Sequence, residues 1–372
     1  MNAVSRPAPV PLVDWIKGLA SQLIMWHHFL WYGPLGVAAA TLWPEWADWL
    51  RQHGRVAVQC FLVVGGFLSA RSLAPRPWHV QGPDPREWFG LVWRRYWRLA
   101  RPYGAALLMA LACAWLARQL GQDPDTPAAP TEWGLLANLL FIHDLVGQPA
   151  LSAGFWYVAI DLQLFALFAA LVVLRRHGER GTRLNRICRL VSLLGTVSLC
   201  IASLLWLNLD PSIDHLAPYF FGAYGLGILA HWIHAQPRRG GLLLAMAAMV
   251  AVAMFVEWRS RVGVAGVVAL LLAAQPGAAW WSGLRLHRLM QWLSRVSYGC
   301  FLMHYPLLLL VGTLMDLAWP DSPWLALAGL CLTWGLSLAA GWALHHAIEQ
   351  APARAPRAAG AARPARLTSQ NG

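Results

Sequence analysis

The sequence predicts an all-α fold, a polytopic bundle of about ten transmembrane helices. Hydrophobic residues make up 58% of the chain and charged residues only 12%, whereas soluble domains carry about 25% charged residues. The mean hydropathy is +0.46. The apolar residues also fall in runs of about 20, which is the length that a helix needs to cross a bilayer. Together these observations exclude an ordinary soluble domain.

The predicted spans can be placed one by one along the chain. They lie near residues 12–32, 55–74, 102–120, 154–174, 190–208, 216–235, 241–257, 261–277, 297–316 and 324–347. A further apolar stretch at 132–147 is shorter and more polar, so we interpret it as a re-entrant or interfacial helix. Residues 1–350 are expected to form a single transmembrane domain. Residues 351–372, rich in Ala, Pro and Arg, are expected to form a disordered cytoplasmic tail.

The distribution of charge predicts the orientation in the membrane. The net charge of +12 comes from arginines in short loops between spans, a pattern typical of topology signals and lipid contact rather than of nucleic-acid binding. These loops share one side only if 132–147 does not cross, which places both termini in the cytoplasm. Residues 87–98 are interpreted as an amphipathic helix on the inner surface. Arg259 and Arg261, on the predicted outer side, are the exception.

The first span carries titratable groups at membrane depth. Lys17 is the only lysine in the chain, and His28 follows it by eleven residues. Eleven residues complete about three helical turns, so both side chains are expected on one face, whereas His27 points about 100° away. Such groups are costly in lipid and are therefore functional candidates.

Two further polar residues interrupt apolar spans. Asp161 needs a partner if it is charged, and His28, Lys17 and Arg71 are the candidates. A structural ion pair is the alternative to a functional role. His304, two residues before a proline, is either a hydrogen-bonded packing residue or part of a site. The six cysteines lack metal-ligand spacing, and no metal is expected.

A dense cationic segment precedes the third span. Arg95 and Arg98 lie on one helix face, and Arg71 ends the preceding span. Guanidinium groups match phosphate geometry, so the three are candidates for binding a phosphorylated ligand. The other interpretation is a topology signal alone. A glycine-rich phosphate loop is missing from the sequence, which argues against ATP.

Six stretches, in this order, resemble the acyltransferase 3 family of integral membrane acyltransferases. They are Lys17–His28 for an Arg/Lys-x10-His motif, Val58–Arg71, Arg95-x-x-Arg98, Phe155–Gln163, Ser297–Pro306 and His346–Glu349. The resemblance covers nearly the whole chain. The sequence departs from the family pattern at three positions: Gln59 replaces a common Asp, Gly65 replaces a common Ser, and Asp161 replaces Glu.

The resemblance implies a cytoplasmic acyl-CoA donor, usually acetyl-CoA, and transfer of the acyl group to a hydroxyl of a surface or exported polysaccharide or its lipid-linked precursor. Membrane lipids and the polysaccharide export machinery are the implied partners, and a bacterial inner membrane is the implied location. The implied catalytic residues are His28, as general base or acyl carrier, and Asp161, which would orient it. The donor would contact Lys17, Arg71, Arg95 and Arg98. The acceptor would contact Trp156, Tyr298 and His304.

Three alternatives remain open. An enzyme of the same fold would acylate a lipid or a secondary metabolite, or would use succinyl-CoA. A transporter or flippase for a lipid-linked or charged solute would also place Lys, His and Asp inside the membrane. The third alternative is an inactive relative that serves as a scaffold, which Gln59 and Gly65 leave open.

Overall fold

Each predicted span coincides with a helix in the computed structural model, which describes residues 10–73, 85–120, 126–175, 182–275, 278–319 and 322–349. The described residues contain helices and turns and no strand. Six segments are long and apolar enough to cross a membrane, and two shorter helices are also apolar. The predicted fold class, a polytopic helical membrane bundle, is therefore confirmed. The count of ten spans and their orientation stay predictions, and the predicted tail at 351–372 lies outside the described residues.

The α-helices follow the chain in this order: α1 Pro11–Trp31, α2 Gly33–Ala40, α3 Pro44–His53, α4 Ala57–Ser72, α5 Pro85–Leu120, α6 Glu132–Leu139, α7 Phe155–Arg175, α8 Arg183–Leu205, α9 Ala217–His234, α10 Gly240–Val256, α11 Ser260–Ala274, α12 Ala278–Gly283, α13 His287–Ala318 and α14 Pro323–Leu344. A π-helical turn, His345–Glu349, extends α14.

The stretch at 132–147 does not form one long helix. Thr131 caps α6 through its side chain, and α6 ends after eight residues, which rise only about 12 Å. The backbone then turns at Phe141, where φ is 59°, and continues into a 3-10 turn at Asp144–Val146. Such a segment is too short to cross a bilayer, in keeping with the prediction that it does not span.

The segment at 87–98 differs from its prediction. We expected a separate amphipathic helix before the third span, but both belong to α5, a single helix of 36 residues. Pro102 lies inside it and removes one backbone hydrogen bond. The helix continues past this point, and the hydroxyl of Tyr298 on α13 donates to the nearby Leu99 carbonyl at 3.1 Å. The apolar face of 87–98 still packs inward through Trp88 and Leu91.

Two helix pairs position the polar residues of the bundle. Lys17 and His28 of α1 contact α13 at Ser294 and His304, so the two helices run parallel and in register. The helices α4 and α9 touch through backbone atoms, because Gly66 lies against the Tyr224 carbonyl and Gly227 against the Val63 carbonyl. Any side chain at either glycine would force the helices apart, as expected for small residues at a membrane helix interface.

The arginines on the predicted outer side have a structural explanation. Arg259 is buried and donates to the Asn208 side chain and to the carbonyls of Leu204 and Ala253, at 2.8, 2.8 and 3.3 Å. These carbonyls belong to the last turns of α8 and α10, and that of Ala253 also accepts from the Glu257 backbone N–H. Arg261 donates to the Tyr219 hydroxyl at 2.7 Å and to the Asn208 carbonyl at 2.9 Å. The two arginines therefore join the ends of neighbouring helices.

Candidate active site

A pair of histidines lies between α1 and α13. The Nδ1 atom of His28 is 2.7 Å from Nε2 of His304, and the two rings stack with their centroids 4.9 Å apart. Both side chains are buried, His304 completely. The two imidazoles that interrupt separate apolar spans therefore form one unit.

The hydrogen bonds of this pair assign its tautomers. The Nδ1 atom of His304 is 2.7 Å from the Phe301 carbonyl, and because a carbonyl only accepts, this nitrogen must donate. In an uncharged ring, Nε2 of His304 then accepts, so Nδ1 of His28 donates to it. The remaining ring nitrogen, Nε2 of His28, carries a lone pair. This atom is the one in the pair that can take up a proton or act as a nucleophile.

The neighbouring His27 has a different role, as the eleven-residue spacing predicts. Its Nδ1 atom lies 3.0 Å from the carbonyl of Leu50 at the end of α3, to which it donates. It therefore links α1 to α3 and faces away from His304. Of the two adjacent histidines, His28 is the one that shares a face with Lys17.

A small pocket lies next to the C-terminal end of α1, beyond the histidine pair. The Tyr32 ring packs against the His28 ring at a centroid distance of 5.6 Å and against the Tyr305 ring at 5.2 Å. The two tyrosines line this pocket, which is partly open to the surroundings, with Gly33, Pro34, Leu35, Leu308, Leu309 and Gly312. Neither histidine lines it, so the Tyr32 ring separates the pocket from His28.

Lys17 lies at the other end of the same face of α1. Its Nζ atom donates to the Ser294 carbonyl at 3.0 Å, which accounts for one of the three donors of an ammonium group. Glu349 and Arg98 are close enough to interact with it electrostatically. The structure therefore gives Lys17 a helix-packing contact and places it in a charged group of residues.

The partner of Asp161 differs from the expectation. The expected partners are His28, Lys17 and Arg71, but the carboxylate accepts from Nε and Nη2 of Arg95 at 3.1, 2.8 and 2.6 Å. Both side chains are largely buried, and the Arg95 guanidinium also lies over the Phe165 ring. His28 is instead oriented by His304. The expectation that Asp161 orients His28 is therefore not what the structure shows.

The arginines assigned to the donor differ in exposure. The guanidinium of Arg95 is bound to a carboxylate, which offsets its charge. Arg98, one turn further along α5, is exposed and lies in electrostatic range of Tyr298 and Glu349. Arg71, in the last turn of α4, is half-buried near His231 of α9. Of the three, Arg98 is therefore the most exposed.

The residues assigned to the acceptor are not gathered at one place. His304 belongs to the histidine pair, whereas the hydroxyl of Tyr298 is bound to the Leu99 carbonyl. Trp156 packs against Phe220 of α9 at a centroid distance of 5.7 Å. The structure therefore brings one of the three to His28 and gives the other two packing contacts.

A series of aromatic contacts, which the sequence interpretation missed, runs from the Arg95–Asp161 ion pair to the histidine pair. Tyr157 precedes Asp161 by four positions on α7 and lies in electrostatic range of that carboxylate. Its ring contacts Phe61 and Phe301 at 6.2 and 5.6 Å, and Phe301 contacts the His304 ring at 5.9 Å. Aromatic residues are common in membrane spans, so the sequence holds no signal that sets these three apart.

Comparison with known proteins identifies the family. A family model described as an acyltransferase domain, that of the acyltransferase 3 family, matches residues 10–342. A curated relative, the regulator of hypoxia-inducible factor 1 of Caenorhabditis elegans, is 24% identical over 156 residues, covering 41% of this chain. The match spans 30% of that relative's length, and no solved structure matches. Because the family model covers nearly all of the chain, this multi-pass membrane protein belongs to the acyltransferase 3 family.

Proposed function

We propose that this chain transfers an acyl group, acetyl by preference, from a cytoplasmic acyl-CoA to a hydroxyl of a surface or exported polysaccharide or its lipid-linked precursor. The family supports acyl transfer in general, and the donor and the acceptor are the proposal. One observation carries it: the hydrogen bond from His28 to His304 leaves Nε2 of His28 as a base inside the bundle. A base at that depth has little use in a scaffold.

The histidine pair supplies the proton transfers of this reaction. Nε2 of His28 takes the proton of the acceptor hydroxyl while the hydroxyl oxygen attacks the thioester carbonyl carbon. The carbon–sulfur bond breaks, and the proton passes from Nε2 to the departing sulfur. His304 accepts from Nδ1 of His28 throughout and stabilises the charged ring, as the orienting residue of a catalytic triad does. The same lone pair would serve a route in which Nε2 itself carries the acyl group.

Positive charge at the Lys17 end of the site suits the phosphates of CoA. Arg98 is exposed and Arg71 is half-buried, and Arg95 keeps its Nη1 atom outside the contacts with Asp161. Guanidinium groups bind phosphate through paired hydrogen bonds. When bound, the thioester supplies the activated carbonyl. The Arg-rich loops favour an orientation with this end in the cytoplasm, and the proposed acceptor places the chain in a bacterial inner membrane.

The acceptor would reach His28 from the opposite end. The pocket lined by Tyr32 and Tyr305 lies at the C-terminal end of α1, and the Tyr32 ring that lines it packs against the His28 ring. Aromatic rings offer an apolar face with a polar hydroxyl at the edge, which suits a sugar ring. Donor and acceptor would therefore meet at Nε2 of His28 from two sides, an arrangement suited to a product that is exported.

The first experiment uses purified protein in nanodiscs with radiolabelled acetyl-CoA, measuring donor binding and release of CoA. We expect His28→Ala to lower turnover by at least about 100-fold, since general bases contribute about that much or more. Donor binding should remain, because His28 is not among the proposed phosphate contacts. The matched control is His27→Ala, which removes an adjacent imidazole that faces Leu50 instead.

Two results would contradict the proposal. If well-folded wild-type protein binds no short acyl-CoA, the donor assignment is wrong, and a transport assay for lipid-linked solutes becomes the next test. If His27→Ala and His28→Ala reduce turnover equally, the histidines stabilise the helix bundle and His28 has no special part in the chemistry.

A further inference from the structure

One glycine lies against the backbone atom that fixes the tautomer of His304. Gly154, in the turn that leads into α7, is buried, and a Cβ at this position would lie 3.0 Å from the Phe301 carbonyl oxygen. That oxygen accepts the Nδ1 hydrogen of His304. The same Cβ would lie 2.9 Å from the Phe301 ring. The turn before α7 therefore rests on the acceptor that orders the histidine pair.

Space, rather than backbone conformation, is what requires a glycine here. Among the described glycines, a positive φ occurs at Gly33 and Gly147, so an alanine at position 154 would meet no backbone strain. Non-bonded carbon atoms in contact lie about 3.5–4.0 Å apart. A methyl group at position 154 must therefore displace its neighbours.

These neighbours have little room to move. The Phe301 ring packs against the rings of Tyr157 and His304, at centroid distances of 5.6 and 5.9 Å. The α13 backbone is also held next to this point by α14, because a Cβ at Gly299 would lie 2.8 Å from the Gly341 carbonyl oxygen. An added methyl group is thus expected to move the Phe301 carbonyl relative to His304.

The side chain of Asn138 holds the turn in place. It is completely buried, and its Nδ2 atom donates to the carbonyls of Gly134 and Pro149 at 2.9 and 3.0 Å. Its Oδ1 atom accepts from the Leu151 backbone N–H at 3.2 Å. Asn138 therefore joins α6 to the residues just before Gly154, which links the segment around α6 to the histidine pair.

We propose that Gly154 is a positioning residue for the histidine pair. The space that it leaves keeps the Phe301 carbonyl on Nδ1 of His304. Without that acceptor, His304 can hold its proton on Nε2 and donate to Nδ1 of His28. His28 then carries its own proton on Nε2, and this atom no longer takes the proton of the acceptor hydroxyl. The inference rests on the proposed function, since it requires His28 as the base.

The test measures kcat and the donor KM of Gly154→Ala in nanodiscs with radiolabelled acetyl-CoA. We expect kcat per folded molecule to fall about tenfold, the lower end of the range for lost orienting residues. The donor KM should stay the same, because Gly154 is not among the proposed phosphate contacts. Gly222→Ala is the matched control: its Cβ would lie 2.9 Å from the Leu204 side chain on α8, so it is equally crowded but should keep the wild-type kcat.

A double variant separates positioning from a general loss of packing. If Gly154 acts through His304, adding Gly154→Ala to His304→Leu should leave kcat within about twofold of His304→Leu alone. A general loss of packing would lower kcat by the same factor in both backgrounds. The proposal is wrong if the two losses multiply, if Gly154→Ala keeps the wild-type kcat, or if Gly222→Ala loses as much.

A second variant covers failure of the first to fold. Asn138→Ala releases the turn instead of crowding it, and it should show the same loss of kcat and the same lack of additivity with His304→Leu. A wild-type kcat in this variant would contradict the proposal. If the wild-type protein releases no CoA from any short acyl-CoA, the proposed function itself fails, a result distinct from any selective loss in the variants.

Discussion

Two buried polar pairs lie in this bundle, and they differ in what they leave unused. His28 and His304 share one hydrogen bond of 2.7 Å, and His304 is bound again at the Phe301 carbonyl. Arg95 and Asp161 share three contacts of 2.6 to 3.1 Å. The carboxylate is therefore satisfied within its pair, whereas the pair of histidines leaves Nε2 of His28 available.

This difference indicates that one pair has a catalytic role and the other a structural role. A buried ion pair offsets the cost of two desolvated charges and is weak evidence for a catalytic role. A chain of hydrogen bonds that ends in an available lone pair has the arrangement of a catalytic base with its orienting partner. Among the residues assigned to catalysis from the sequence, His28 fits the second description and Asp161 the first.

The largest expected effect is on stability and comes from breaking the ion pair. Asp161→Asn leaves the Arg95 charge buried without a carboxylate, and removal of one partner of a buried pair costs about 3–5 kcal/mol. We expect a large fall in thermal stability, measured by fluorescence-detected gel filtration after heating in detergent. Turnover per folded molecule should fall less than in His28→Ala.

The double variant Arg95→Gln with Asp161→Asn sharpens this comparison. Because it removes both charges, it should recover much of the lost stability. A well-folded Asp161→Asn protein that loses all turnover would show that the carboxylate acts in the chemistry, and the distinction between the two pairs would fail.

The second expected effect is on catalysis and comes from His304. His304→Leu removes the acceptor that holds the tautomer and orientation of His28, so kcat should fall about 10- to 100-fold, in the range of lost orienting residues. The KM for the acceptor should change little, because in this structure His304 contacts His28 and the Phe301 carbonyl. Steady-state kinetics with a fixed donor concentration separates the two parameters.

His304→Gln is the informative companion, since its side-chain oxygen can accept from Nδ1 of His28. Partial recovery of kcat in this variant supports the positioning role. A rise in acceptor KM without loss of kcat would return His304 to the acceptor-binding role that the family resemblance implies.

The sequence was sufficient for the helices and for the choice between two histidines. Apolar runs of about 20 residues specify spanning helices almost by themselves, because backbone polar groups in lipid need internal partners. The spacing from Lys17 selects His28 over His27 because both side chains project from one helix, where periodicity fixes direction. Predictions that concern a single helix could thus be made from the sequence alone.

The side-chain pairs that join different helices could not be predicted from the sequence. His28 and His304 are 276 positions apart, and helix order in a bundle does not say which spans touch. The contact between Asp161 and Arg95 was missed for a similar reason, since the sequence around Arg95 is equally typical of a phosphate ligand.

A third buried polar group supplies the smallest expected effect and tests whether burial of an arginine alone implies function. Arg259 has carbonyl and amide oxygens as acceptors and lies among the ends of α8, α10 and α11. Arg259→Met should remove the guanidinium donor from the Asn208 and Leu204 oxygens and reduce stability by about 1–3 kcal/mol, seen as a lower midpoint of thermal denaturation. Turnover per folded molecule and CoA affinity should equal those of the wild type, because these helix ends lie apart from the histidine pair. Selective loss of turnover in a stable Arg259→Met protein would instead make this arginine part of the reaction, and the rule that satisfied buried charges are structural here would no longer hold.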